Sequence, residues 1–218
     1  MLEKRTKAIG LMSGTSADGV DVAYIDTDGK EFVFFGPSQS FRLPRALRDR
    51  LINAKVDDET NSIIEYDLTL LHFESIKKFM KINNLSKDNI DLVGFHGHTI
   101  YHNPGDRVTI QLGDGKLLAK CIEIPVINDF RSADLKNGGQ GAPLVPIFHA
   151  VLAKKLKKPV AILNIGGVAN VTWVGKQIDE LIAFDVGPGN ALIDDWVFSH
   201  GLGAVSYTHL TLPTNREV

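Results

Sequence analysis

The sequence predicts an α/β fold made of two related units, and three observations carry that expectation. A strand, glycine turn, strand, strand pattern runs over residues 8–35 and returns over residues 160–184. Helix and strand signals follow one another between the two copies, as expected of packed α/β layers. The composition is that of an ordinary folded chain, 44% hydrophobic and 23% charged. At 218 residues there is room for one large domain or two small ones, on a norm of roughly 100–200 residues per domain.

The first copy opens on an apolar strand at residues 8–12, followed by a turn-rich loop at 13–19. Residues 20–25 alternate, with Val20, Val22 and Tyr24 on one face, and form the returning strand. Asp28-Gly29 is expected to be a two-residue hairpin turn into a third strand that starts near Phe32. Leu68, Leu71, Ile76, Phe79 and Met80 share one face of a helix over 67–82. Strands are expected at 91–95, 108–112 and 125–127, and a helix at 117–122. A glycine-rich loop at 137–141 leads to a helix from Pro143 to about Leu156, whose lysines suit a helix C-terminus.

The second copy starts with a buried strand at 160–165, a Gly166-Gly167 turn, a returning strand at 169–174 and a third at 181–184. The third ends in Asp185-Val186-Gly187-Pro188-Gly189-Asn190, before a helix with Ala191, Leu192, Trp196 and Val197 at apolar positions. The boundary between units falls near 157–159, giving a first lobe at 1–157, the start of a second at 158–205 and an atypical tail at 206–218.

Composition excludes several function classes. Lys+Arg is 24 against Asp+Glu 26, so no basic surplus points to nucleic acid. The longest apolar run is far short of the ~20 residues of a membrane span. The charged N-terminus is followed by no signal-peptide core. The lone Cys121 cannot form an internal disulfide and reads as a buried structural thiol in a reducing compartment. A cytoplasmic protein is expected, with no nucleic-acid or membrane partner.

Five motifs could carry chemistry. Gly14-Thr15-Ser16-Ala17-Asp18-Gly19-Val20-Asp21 brings backbone N–H groups and two hydroxyls close to a ligand, as a polyphosphate tail requires. Asp18 or Asp21 could hold Mg²⁺, directly or through water. The plain alternative is an ordinary hairpin loop. Asn164-Ile165-Gly166-Gly167-Val168-Ala169-Asn170 takes the corresponding place in the second copy, or is simply a tight turn. Asp185 beside its glycine loop is a candidate general base, or a capping aspartate. Arg131 offers a planar fork for a carboxylate or phosphate, or a salt bridge to Asp129 or Asp134. His96, His98 and His102 invite a metal reading, but polar contacts to a sugar suit their spacing better than zinc.

Six ordered blocks over residues 8–200 together resemble the anhydro-N-acetylmuramic acid kinase family. They are Gly10 through Asp21, Gly97-His98-Thr99, Asp129-Phe130-Arg131, Gly138 through Pro146, Asn164 through Asn170, and Phe184 through Asn190. The resemblance implies a ribonuclease H-like actin/sugar-kinase fold, first lobe complete and second lobe partial, with ATP between the lobes. It implies a kinase using ATP and Mg²⁺ that converts 1,6-anhydro-N-acetylmuramic acid plus water to N-acetylmuramic acid 6-phosphate in peptidoglycan recycling. It assigns residues 14–21, Gly166 and Gly167 to ATP, and His98, Thr99, Arg131, Asn164, Gly187 and Asn190 to the sugar. Asp185 becomes the base that takes a proton from water, and Arg131 the partner of the lactyl carboxylate. Many members carry glutamine where His98 stands. Members continue past this length, and a homodimer is implied.

Other readings stay open at the level of sequence. One is a truncated, non-catalytic fragment; another is a kinase of a different amino sugar. A dinucleotide-binding oxidoreductase fits poorly, because the glycine loops join strand to strand and no G-x-G-x-x-G opens a helix.

Overall fold

The structure, a computed structural model, describes residues 5–14, 17–30, 32–56, 59–177 and 180–200. It divides into two compact units, Met1–Ala142 and Pro143–Val218. This division lies upstream of the boundary near 157–159, because the segment after Pro143 packs Ala150 and Ala153 on the second unit's sheet.

The first unit opens with an antiparallel meander, β1 (Thr6–Met12), β2 (Gly19–Thr27) and β3 (Val33–Arg42). Two helices follow, α1 (Arg45–Ile52) and α2 (Asn61–Ile82). Next come β4 (Leu92–Phe95), the hairpin β5 (His98–Asn103) and β6 (Val108–Leu112), helix α3 (Gly115–Ile122), β7 (Val126–Asn128) and the short helix α4 (Ser132–Lys136). The sheet order is β3-β2-β1-β4-β7, with β1, β4 and β7 parallel. The meander can be joined by short turns, whereas each parallel step needs a long crossover. α1 and α2 supply the first, and the β5–β6 hairpin with α3 supplies the second.

The core forms where α2 lies on this sheet. Ile64, Leu68, Ile76 and Phe79 lie on one helical face, at spacings of one or two turns, and are buried in one cluster with Ile9, Val22, Val93 and Phe95. Each such side chain contributes about 1.5–3 kcal/mol through burial. His72 sits in the same stripe, wholly buried. Its Nδ1–H donates to the Leu68 carbonyl at 2.8 Å, and its ring meets Phe95 edge-on with centroids 4.9 Å apart. Among the described residues its Nε2 has no hydrogen-bond partner.

The second unit contains α5 (Pro146–Leu152), a 3₁₀ turn (Ala153–Lys155), the antiparallel strands β8 (Val160–Ile165), β9 (Val168–Val174) and β10 (Leu181–Pro188), and α6 (Ala191–Ser199). α5 and the 3₁₀ turn cover one face through Ala150 and Ala153, against Val174, Val160, Ile162 and Leu181. His149 adds a hydrogen bond to Thr172 Oγ1 at 2.8 Å.

Several expectations are corrected. β8 is not a buried strand: Leu163 and Ile165 are exposed, with Trp173, Ile182, Phe184 and Val186 on the same face. One short helix covers only the other side. On α6, Val197 is buried but Leu192 and Trp196 are exposed, and the side chain of Ala191 lies outside the described residues. The turn at Asp28-Gly29 is a longer loop, because the Asp28 carboxylate accepts from the N–H groups of Lys30 (2.8 Å) and Phe32 (2.9 Å). The helix expected from Pro143 starts at Pro146. α1, α4 and β5 were not expected. Cys121 is half-buried.

Burial holds the His72 imidazole down at about 4, against an ordinary value of 6.5. The unfolded chain takes that proton near 6.5 and the folded chain resists it, so stability is full above 6.5 and falls as the pH drops towards 4. His98 has the same sign and is also held down to about 4. Between pH 7 and 5 the His72 contribution is a loss of about 2 kcal/mol. Urea midpoints at the two pH values should show a smaller acid loss in His72→Gln than in the parent; equal losses would refute the linkage.

Candidate functional site

The parallel register sets the first half of the site. Leu11 pairs with Phe95, and Phe95 with Asn128. The chain therefore leaves β1, β4 and β7 at one edge, through Ser13, His96 and Asp129 respectively. Ligands of open α/β sheets gather at this carboxyl edge.

The glycine loop after β1 is tightly built. Ala17 N–H donates to the Gly14 carbonyl at 2.9 Å, and Ala17 is held at φ 48°. A Cβ on Gly19 would come within 2.9 Å of the Phe41 carbonyl, so β2 can start against β3 only with glycine there. The Asp18 carbonyl accepts from Leu43 N–H at 3.1 Å, and Val20 is buried beneath the loop. Thr15 and Ser16, expected as hydroxyl donors, lie outside the described residues. The Asp21 carboxylate accepts from Ser40 Oγ. Burial pushes its pKa up, the Ser40 bond opposes this, and the nearby charge of Asp18 raises it further. Two carboxylates within each other's field fit a hard cation that keeps water or phosphate oxygens as its other ligands. Among the described residues, no group of three or more His, Cys, Asp or Glu could hold a metal ion.

Behind the loop, Ser13 is buried and its Oγ lies 3.2 Å from His98 Nδ1. His98 is itself buried, at 3% exposure, under the start of the loop. Thr99 Oγ1 accepts from Gln111 Nε2 at 3.3 Å across the β5–β6 hairpin. Arg131 makes neither of the salt bridges considered for it. Its Nε donates to His96 Nε2 at 2.9 Å and its Nη1 to the Gly141 carbonyl at 2.8 Å. Asp129 instead accepts from Ser132 N–H at 3.3 Å at the start of α4, and Asp134 accepts from Gly141 N–H at 2.7 Å. Beside His96 lies a cleft of about 240 Å³, walled partly by Gln111, Asn128, Asp129 and Ser132.

The second unit brings a different set together. Asn164 pairs with Asn170, and Asn170 with Asp185, so these three polar residues form one row across β8, β9 and β10. Asp185 stands within β10 rather than at its end, just before a bulge at Gly187, whose φ is 147°. Asn170 was missed as a site residue. Its Oδ1 is buried and has no hydrogen-bond partner among the described residues. Strand alternation back from the Gly166-Gly167 turn was the signal that could have found it. The turn is gripped from behind: Asn190 N–H donates to the Gly166 carbonyl at 2.7 Å, Gly189 N–H to Gly167 at 2.9 Å, and Asn190 Nδ2 to Ile165 at 3.2 Å. His96 was singled out only as part of a histidine cluster, and its partnership with Arg131 needed the register of β4 and β7 to become visible.

Comparison with known proteins points the same way as these blocks. The sequence profile described as anhydro-N-acetylmuramic acid kinase matches residues 6–206. Proteins of that name from Paramagnetospirillum magneticum and Rhodopseudomonas palustris are 50% and 47% identical over 193 and 203 residues, 88% of this chain in each case. The matches cover 54% and 55% of those proteins, so the chain spans about half the length of the curated relatives it matches. Solved structures are less similar. A reductive activator for a corrinoid, iron-sulfur protein gives a TM-score of 0.44 at 13% identity, covering 86% of this chain and 32% of its own. YeaZ from Pseudomonas aeruginosa gives 0.32 at 12%, covering 84% and 68%. Among the described residues no helix is long and apolar enough to cross a membrane.

The turn geometry separates two glycines. A Cβ at Gly189 would meet the Gly166 carbonyl oxygen at 2.2 Å, whereas one at Gly166 would sit 3.5 Å from the Val168 carbonyl. Gly189→Ala should therefore cost roughly 1–3 kcal/mol by overpacking, and Gly166→Ala less than about 1 kcal/mol. Urea titration followed by tryptophan fluorescence (Trp173 and Trp196 report on this unit) checks the order.

Proposed function

The chain belongs to the anhydro-N-acetylmuramic acid kinase family, and we propose that it takes part in transfer of the γ-phosphoryl group of ATP to 1,6-anhydro-N-acetylmuramic acid with hydrolytic opening of the anhydro ring. The product is N-acetylmuramic acid 6-phosphate, in a cytoplasmic step of peptidoglycan recycling. The observation that carries this reading is the polar cluster at the carboxyl edge of β1, β4 and β7, where Arg131 is hydrogen-bonded to His96 and His96 lines a cleft of about 240 Å³. The sheet order β3-β2-β1-β4-β7 supports a ribonuclease H-like first lobe of the actin/sugar-kinase kind, and the β8–β10 meander supports the start of a second.

Each residue has a task. The Asp185 carboxylate takes a proton from water as the water oxygen bonds to the anomeric carbon. The bond from that carbon to the anhydro oxygen breaks, and the electron pair stays on the oxygen. That oxygen attacks the γ-phosphorus in line, the bond to the β-phosphate oxygen breaks, and ADP leaves. Ring opening thus generates the acceptor, so no second base is needed for a hydroxyl. Backbone N–H groups of residues 14–21 and of Gly166-Gly167 cradle the phosphates, where positioning and electrostatics supply most of the catalysis. Asp18 and Asp21 would hold Mg²⁺, which supplies charge neutralisation on the phosphates. Arg131 pairs with the lactyl carboxylate, and His98, Thr99, Asn164, Gly187 and Asn190 contact the sugar. A homodimer belongs to the same reading.

A general base contributes about 10²–10⁴-fold. Asp185→Asn should lower turnover with ATP and the anhydro sugar by that factor while nucleotide affinity stays within about threefold. In isotopically labelled water the parent should place solvent oxygen at the anomeric carbon. An unchanged turnover in the variant removes Asp185 from the role.

A further inference from the structure

We infer that His96, as the neutral Nδ1–H tautomer, is a positioning residue that aims the Arg131 guanidinium at the carboxylate of the sugar; this rests on the role given to Arg131 above. The hydrogen bonds determine the tautomer. The Gly97 carbonyl, 3.0 Å from His96 Nδ1, can only accept, so Nδ1 carries the proton. Nε2 is then a lone-pair acceptor, and Arg131 Nε donates to it at 2.9 Å. The Gly141 carbonyl takes one Nη1 hydrogen at 2.8 Å. Two acceptors from different elements thus fix the plane of the fork, and among the described residues the Nη2 donors have no hydrogen-bond partner, which leaves them for a ligand. A guanidinium pairs bidentately with a carboxylate only when its plane is matched. Arginine with a loose side chain would lose that match, so the histidine acts through geometry rather than by touching substrate.

The arrangement works only while His96 is neutral. An imidazolium has no acceptor nitrogen and would set a second cation against Arg131. Burial is the main influence that holds the His96 pKa down, the Gly97 bond opposes it, and the Arg131 charge lowers it further. The other groups that bear on the ring agree in kind. His98 on β5 and His72 on α2 are themselves held neutral by burial, and Asp129 after β7 lines the same cleft and caps α4. Acid should therefore weaken the hold on a carboxylate before it affects a neutral sugar.

Two probes isolate the effect: 1,6-anhydro-N-acetylmuramic acid, and 1,6-anhydro-N-acetylglucosamine, which lacks the lactyl carboxylate. By calorimetry, His96→Phe should bind the first about tenfold more weakly and the second unchanged, while His96→Gln, whose amide oxygen can accept from Arg131, stays within about threefold of the parent. Arg131→Ala should lose the preference for the carboxylate altogether. If His96→Phe binds both sugars like the parent while Arg131→Ala loses the preference, His96 positions nothing. If Arg131→Ala keeps the preference, the role given to Arg131 fails and this inference falls with it. Nitrogen-15 NMR of the parent decides independently of whether the variants fold: a proton on His96 Nε2 at neutral pH overturns the proposal, and an unprotonated Nε2 beside a slowly exchanging Arg131 Nε–H supports it.

Discussion

The parallel alignment of β1, β4 and β7 is the constraint on which the first unit depends. Main-chain pairing of Leu11 with Phe95 and Phe95 with Asn128 fixes where each chain leaves the sheet. A slip of one residue would turn every side chain to the opposite face. It would also move His96 away from both Leu11 and Arg131. α2 enforces the register, because Leu68, Ile76 and Phe79 fit the sheet only when Ile9, Val93 and Phe95 face them together. The apolar stripe of one helix and the polar cluster at the sheet's edge are therefore consequences of one alignment.

Much of this was readable from the residues. Val20 and Val22 alternate as a half-buried strand should, and the α2 stripe repeats at helical spacing. The glycine loops stood out because turn residues cluster between apolar runs. The losses have identifiable causes. β5 was hidden because His98, Thr99 and Tyr101 carry no apolar alternation; its partner β6 defines it. α1 is rich in charge and only two of its residues are buried, Leu47 and Leu51. The length of β10 escaped notice because Gly187 and Pro188 look like strand breakers, whereas a bulge accommodates them against Val168 and Ala169.

Site chemistry was legible as residue types and illegible as partnerships. Arg131 was recognised for its fork, yet the salt bridges within its own segment, to Asp129 and Asp134, proved to be otherwise engaged. Its actual side-chain partner, His96, lies 35 positions away, and the Gly141 carbonyl takes its other hydrogen bond. Asn170 shows the same limit, since the row it forms with Asn164 and Asp185 exists only once three strands are laid side by side. In the second unit the residues facing away from α5 are large and apolar, including Leu163, Trp173 and Phe184, so local burial could not be inferred from hydrophobicity alone.

The buried contact between Ser13 and His98 joins the root of the first glycine loop to the first residue of the β5–β6 hairpin. That hairpin also carries Thr109 and Gln111 on the wall of the cleft. A tether at this point means that neither element can shift far without breaking a buried polar contact, which would leave a hydroxyl or an imidazole nitrogen unsatisfied. The root of the loop and the wall of the cleft are thus stitched together inside one unit, through a hydroxyl and an imidazole that water scarcely reaches.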